Sequence, residues 1–259
     1  MAKKWVKFPH ADKAAYAYDA ASLKKSWARL HKGDCESFPK EAAIADAWRH
    51  YHAGDFQQAV EAGLAAGGAG VNGAAKAQTV YAHYLEKAAA TKLALFEEAA
   101  AWADERRGEA PKDANAHYLY AFALGRYSQG ISVAKALAQG FGGKIKEALT
   151  KAQKLEPKHA EAWTAFGAYQ AEVIAKVGGI VAGVTYGAKK ESAADCYQKA
   201  LKLFPESPIA HIEYANGLML LYGKAKVDEA TKLYEKAAAG KPADAMERLD
   251  VELAKSELE

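Results

Sequence analysis

The feature that most restricts this chain is a helix ending written three times. Leu149 and Ala152 stand eight and five residues before Pro157, Tyr197 and Ala200 hold the same places before Pro205, and Tyr234 and Ala237 before Pro242. The longest match sets Ala148-Leu-Thr-Lys-Ala-Gln-Lys-Leu-Glu-Pro157 beside Cys196-Tyr-Gln-Lys-Ala-Leu-Lys-Leu-Phe-Pro205. A large residue and an Ala three apart share one helix face, where the Ala lets a neighbouring helix approach and the large side chain fills the gap above it. The remaining prolines are Pro9, Pro39, Pro111 and Pro208. Between prolines lie Ala-rich segments with apolar residues at i, i+3, i+4 and i+7, and no run of alternating β-branched residues. The pattern predicts amphipathic helix after helix and no strands, an all-α chain.

The helices after the prolines agree. Pro157 leads into Ala160-Glu-Ala-Trp163-Thr-Ala-Phe166-Gly167, Pro205 into Ala210-His-Ile-Glu-Tyr214-Ala215, and Pro111 into Ala116-His-Tyr-Leu-Tyr120-Ala121. Upstream, Ala47-Trp48 is followed by Gly54-Asp55-Phe56-Gln-Gln-Ala59. Together these segments resemble the tetratricopeptide repeat (TPR), over roughly residues 40–242, with three good units, one fair and one degenerate. The segment from about 74 to 107 offers two more helices in poor register. The resemblance implies a TPR-like α-solenoid of antiparallel helix pairs. A basic N-terminal segment (1–39, with a helix near Asp12–His31) precedes the array, and a capping helix (243–259, near Ala245–Leu258) closes it.

The spacing departs from a TPR unit of about 34 residues. Pro111 to Pro157 is 46 residues and Pro157 to Pro205 is 48. The excess falls in two apolar, glycine-rich insertions, about 129–143 and 173–190. TPR units carrying such insertions and a closing helix are similar to the regulator-of-microtubule-dynamics-like TPR proteins. They are also loosely similar to the TPR component associated with TRAP-type transporters, an exported family, and export is not expected from this N-terminus.

Charge excludes several classes. Lys plus Arg is 35 against 32 Asp plus Glu, a net of +3, which argues against a strongly basic nucleic-acid binder. No segment reaches the length of a membrane span, and no signal-peptide core follows the basic start, so a cytoplasmic location is expected. Cys35 and Cys196 form no CxxC pair and read as ordinary reduced thiols. Residues 1–32 carry eight Lys/Arg against two Asp/Glu. That head, with Trp5 and Phe8, reads either as a docking end for an anionic partner or as a solvated face.

No residue constellation points to catalysis, a metal or a cofactor. Gly68-Ala-Gly70-Val-Asn-Gly73 spells GxGxxG, but a helical segment precedes it where a dinucleotide site needs a strand, so it reads as a flexible helix–helix connection. Neither Gly143-Lys144-Ile145 nor Gly223-Lys224-Ala225 makes a P-loop. His50 and His52, two apart on a helix, face different ways and cannot simply share a metal. His117 and His211 occupy the place that Trp163 takes in its own unit, a structural position.

The inner face of the array, by register, carries Asn115, Tyr118, Phe122 and Arg126, then Glu161, Thr164 and Ala168, then Ile209, Ile212, Asn216 and Met219. TPR domains that grip chaperone C-termini use a cationic and amide clamp; here Tyr118 and Phe122 stand where those groups would be, leaving an apolar, aromatic groove with Arg126 as its cation. The expected function is a non-enzymatic scaffold binding a protein or peptide there. Two alternatives stand beside it. One is an apolar carboxylate held near Arg126 by a carrier or transporter accessory. The other is self-assembly through Gly179, Gly183 and Gly187, spaced four apart so that on a helix they make one smooth face. Whether the insertions plug the groove, gate it or form an interface is left open.

Overall fold

The computed structural model describes residues 5–259, which form α-helices with a few 3₁₀ and π turns and no strand among them. Lys3 and Lys4 of the basic head lie outside the described residues. The architecture is all-α among the described residues, and it divides into two compact units.

The first unit comprises residues up to His31, Glu36–Ser132 and Ala243–Met246. It contains α1 (Ala20–Leu30), α2 (Ala42–His52), α3 (Phe56–Ala66), α4 (Gly70–Tyr84), α5 (Ala89–Glu109) and α6 (Ala114–Gln129), with consecutive helices from α2 onward packed on one another. The N-terminal helix begins later than its periodicity suggests. Ala11–Tyr16 is a 3₁₀ turn, and α1 starts at Ala20 because Asp19 and Ser22 cap each other's backbone N–H at 2.8 and 2.9 Å. Neither reading of the basic head holds for its aromatics. Trp5 stacks on Tyr81 with centroids 3.9 Å apart, Phe8 is buried, and Lys13 pairs with Asp55.

The GxGxxG segment is only half a connection. Gly67 and Gly68 turn the chain at φ +64° and +53°, and α4 is already under way at Gly70. Glycine is required where α3 meets α4: a Cβ on Gly63 would lie 2.5 Å from the Gly70 carbonyl oxygen, and one on Gly70 2.6 Å from that of Gly63. This close crossing lets α5 and α6 cover α4 as well, so that Asn72 through Ala82 are all buried.

The second unit comprises Lys32–Cys35, Val133–Pro242 and Glu247–Glu259. Its helices are α7 (Val133–Ala138), α8 (Phe141–Leu155), α9 (Ala160–Val177), α10 (Gly179–Val181, running into a π turn over Ala182–Tyr186), α11 (Lys190–Leu203), α12 (Pro208–Tyr222) and α13 (Val227–Ala238). Most of α14 (Ala245–Ser256) follows. The chain leaves the first unit inside the first insertion, between Ser132 and Val133.

The repeat signature has a physical counterpart. Tyr197, the large residue of its helix ending, is fully buried between two glycines, with ring atoms 2.8 Å from a Cβ built on Gly167 and 2.7 Å from one built on Gly217. Each good repeat also begins in the same way. Two residues after the proline, the side chains of Asp113, His159 and Ser207 accept from the backbone N–H of Ala116, Ala162 and Ala210. Six residues after it, His117 Nε2 donates to the Pro111 carbonyl at 3.1 Å and Trp163 Nε1 to the Pro157 carbonyl at 3.0 Å. His211 instead uses Nδ1 to reach the Ser207 carbonyl at 2.9 Å. The shared position therefore ties the turn to the helix it opens.

Candidate functional site

Among the expected groove residues, those of α6 form a graded strip. Asn115 opens the helix, Tyr118 and Phe122 follow with rings parallel to within 7° and centroids 5.8 Å apart, and the Arg126 guanidinium lies 5.6 Å from the Phe122 ring. Arg126 also donates to Gln129 at 3.2 Å. Asn115 and Tyr118 are buried, whereas Phe122 and Arg126 are half-buried.

Part of what closes the polar end of this strip is the chain itself. Asn115 Nδ2 donates to Glu36 Oε2 at 2.9 Å, and Asn72 Nδ2 approaches the same oxygen at 3.4 Å. Asn72 also donates to Asp113 Oδ2 at 3.1 Å, which Arg106 reaches at 3.3 Å. The Glu36 carbonyl accepts from Trp27 Nε1 at 2.7 Å, and Phe38 meets the Trp27 ring edge-on. A non-helical segment, Glu36 to Phe38, thus meets α1, α4 and α6 and presents a carboxylate to two amides. Sequence reasoning missed this arrangement because its partners are 36 and 79 positions apart and no local motif joins them.

Near the other end of α6, His83 is kept neutral. Burial pushes its imidazole well below the usual range, and the Arg126 and Lys92 charges act in the same direction. A second missed cluster lies in the first unit, where His52 Nδ1 is 2.7 Å from Asp244 Oδ2 and its Nε2 is 3.2 Å from His31 Nε2. Trp27 stacks on His31, and Trp48 meets it edge-on. His50 faces Asp46 instead, so the two histidines of α2 do diverge. Among the described residues no group of three or more His, Cys, Asp or Glu is arranged to hold a metal ion. Burial, first of all, raises both thiols, Cys35 and Cys196, to about 11, which leaves them protonated at neutral pH.

In the second unit the expected residues fare differently. The Glu161 amide donates to the Gly33 carbonyl at 3.0 Å. Thr164 is buried and bonds back to the Ala160 carbonyl. Ile212 is fully buried in a core with Ala230, Leu233 and Tyr234, so it lines no groove. Asn216 accepts from the Tyr234 hydroxyl, and Met219 sits half-buried at that core's edge. Gly179 and Gly183 lie in the helical part of the second insertion, but Gly187 is past its end at φ +66°, so the three do not share one regular helix.

The family model described as "RMD1-3: Regulator of microtubule dynamics protein 1-3" matches residues 73–259, from within α4 to the end of the chain. No curated protein matches. Among solved structures, a thermophilic TPR protein of Thermus thermophilus superposes with a TM-score of 0.57 at 16% identity, covering 83% of this chain and 98% of that one. Likeness at that identity shows a shared fold.

Proposed function

The chain belongs to the RMD1-3 family of regulator of microtubule dynamics proteins, and from that premise we propose that it is a non-enzymatic scaffold which binds an extended peptide segment of a partner protein. One observation carries the reading: the Asn115 end of the strip on α6 already holds a non-helical piece of chain, with the Glu36 carboxylate on Asn115 and Asn72. A partner segment offering a carboxylate followed by apolar side chains would match the amide, aromatic and cationic order from Asn115 through Tyr118 and Phe122 to Arg126. In the second unit, Glu161, Asn216 and Met219 remain candidates by themselves, while Thr164, whose hydroxyl bonds the Ala160 carbonyl, and Ile212, packed inside a core, are left out.

The test compares affinity capture by the wild type, by Phe122→Ala and by Glu36→Gln, with polymerised tubulin among the baits because the family description names microtubule dynamics. Phe122 is only half-buried, so its truncation should leave helicity intact while weakening capture by about tenfold. Glu36→Gln removes the charge of the internal occupant and should strengthen capture. Identical profiles for all three proteins would refute the reading.

A further inference from the structure

The second insertion is amphipathic in an inverted sense. Its small residues, Ala182 and Ala188, are buried in the core of the second unit, while Ile180 and Val184 are each 86% exposed and Val181 is exposed beside them. The first insertion repeats the arrangement on α7, where Val133 and Leu137, again four apart, are exposed. The two insertions touch. Lys146 Nζ donates to the Tyr186 carbonyl at 2.7 Å, and a Cβ on Gly142 would lie 2.7 Å from the Tyr186 ring. Large aliphatic side chains so exposed, at the tips of short anchored turns, point to an apolar covering.

Charge narrows the choice of covering. The first insertion (129–143) contains Lys135, with Lys144 and Lys146 just after it, and the second (173–190) contains Lys176, Lys189 and Lys190; neither insertion contains an Asp or Glu, and Glu147, Glu172 and Glu191 stand at their margins. Lys146 and Lys190 bond to backbone carbonyls, which fixes them without neutralising them, and Lys176 pairs with Glu172, just outside. A second copy would bring the same lysines face to face over very few apolar side chains, far less than a stable dimer needs.

We propose that this face docks on an anionic lipid bilayer, with Ile180, Val181 and Val184 entering the boundary between headgroups and acyl chains and the exposed Lys144 and Lys189 facing lipid phosphates. Shallow insertion of a few aliphatic groups, reinforced by a basic rim, suffices for reversible surface binding without a spanning segment. None of these residues belongs to the α6 strip, so the proposal stands or falls separately from the peptide-binding reading.

The experiment is co-sedimentation of the full chain with vesicles of phosphatidylcholine alone or with about 30% phosphatidylserine, a content chosen to give a strong negative surface potential. Binding should require phosphatidylserine and should weaken at least about tenfold in 0.5 M salt. The Ile180→Asp/Val184→Asp variant should lose at least about tenfold in binding with unchanged circular dichroism, because both side chains are exposed. Lys144→Glu/Lys189→Glu changes the rim alone and should lose the phosphatidylserine dependence. No binding to anionic vesicles at low salt, or equal binding by the tip variant and the wild type, would overturn the proposal. So would native mass spectrometry in which the tip substitutions dissociate a wild-type dimer while vesicle binding stays the same, since the face would then join two copies.

Discussion

At the scale of single residues, the repeat's logic becomes a test of sign. Gly217→Ala gains helix propensity of about 1 kcal/mol but drives a methyl group into the Tyr197 ring, which is fully buried and has nowhere to move. Overpacking of that kind costs about 1–3 kcal/mol, so the clash wins and the variant should be less stable. Gly125→Ala, inside α6 with no atom within 4 Å of its Cβ, should be more stable by about 0.5–1 kcal/mol. Urea midpoints measure both, and equal signs would refute the packing account. Tyr197 and its Ala200 neighbour were legible in sequence because their spacing to Pro205 is local. The amides of Asn72 and Asn115 on Glu36 were not, because that site exists only when three distant segments meet.

At the scale of elements, what is legible depends on how a helix is buried. The α11 and α13 helices each bury one stripe, and the 3.6-residue period betrays them. By contrast, α4 is buried all round from Asn72 to Ala82, so it has no polar face to set its register, and its first turn reads as a glycine loop. Helix starts show the same contrast. The Asp113, His159 and Ser207 caps sit at one fixed distance after their prolines, whereas the start of α1 depends on the Asp19–Ser22 exchange, which helical periodicity alone passes over. Ser207→Ala leaves the Ala210 N–H without its side-chain acceptor and should cost about 1 kcal/mol by urea unfolding. No loss at all would mean that Pro208 at the first helical position sets the start of α12 without the cap.

At the scale of the whole molecule, each unit is assembled from separate stretches of sequence. Residues Ala243–Met246 belong to the first unit through the His52–Asp244 bond, the Tyr18 hydroxyl on the Ala243 carbonyl at 2.6 Å and the Tyr51 hydroxyl on Met246 Sδ. The expected partition at residues 39 and 242 treats both ends as appendages to one array. Sequence periodicity cannot reveal an exchange of that kind, because the joining contacts are long-range and polar. Asp244→Ala removes the partner of a buried imidazole and should cost about 1–3 kcal/mol. Hydrogen exchange should quicken first in α1 and α2, which carry His31 and His52; a rise confined to α13 and α14 would contradict this account.

That exchange also sets a clock for synthesis. Domains generally fold from the N-terminus as the ribosome delivers them. Here His52 of α2 waits for Asp244, 192 residues further along the chain. The first unit therefore cannot be completed until Ala243–Met246 has been made, after Val133–Pro242 of the second unit. Until then the His52 Nδ1 atom lacks its carboxylate partner, and the Tyr18 and Tyr51 hydroxyls lack the Ala243 and Met246 acceptors.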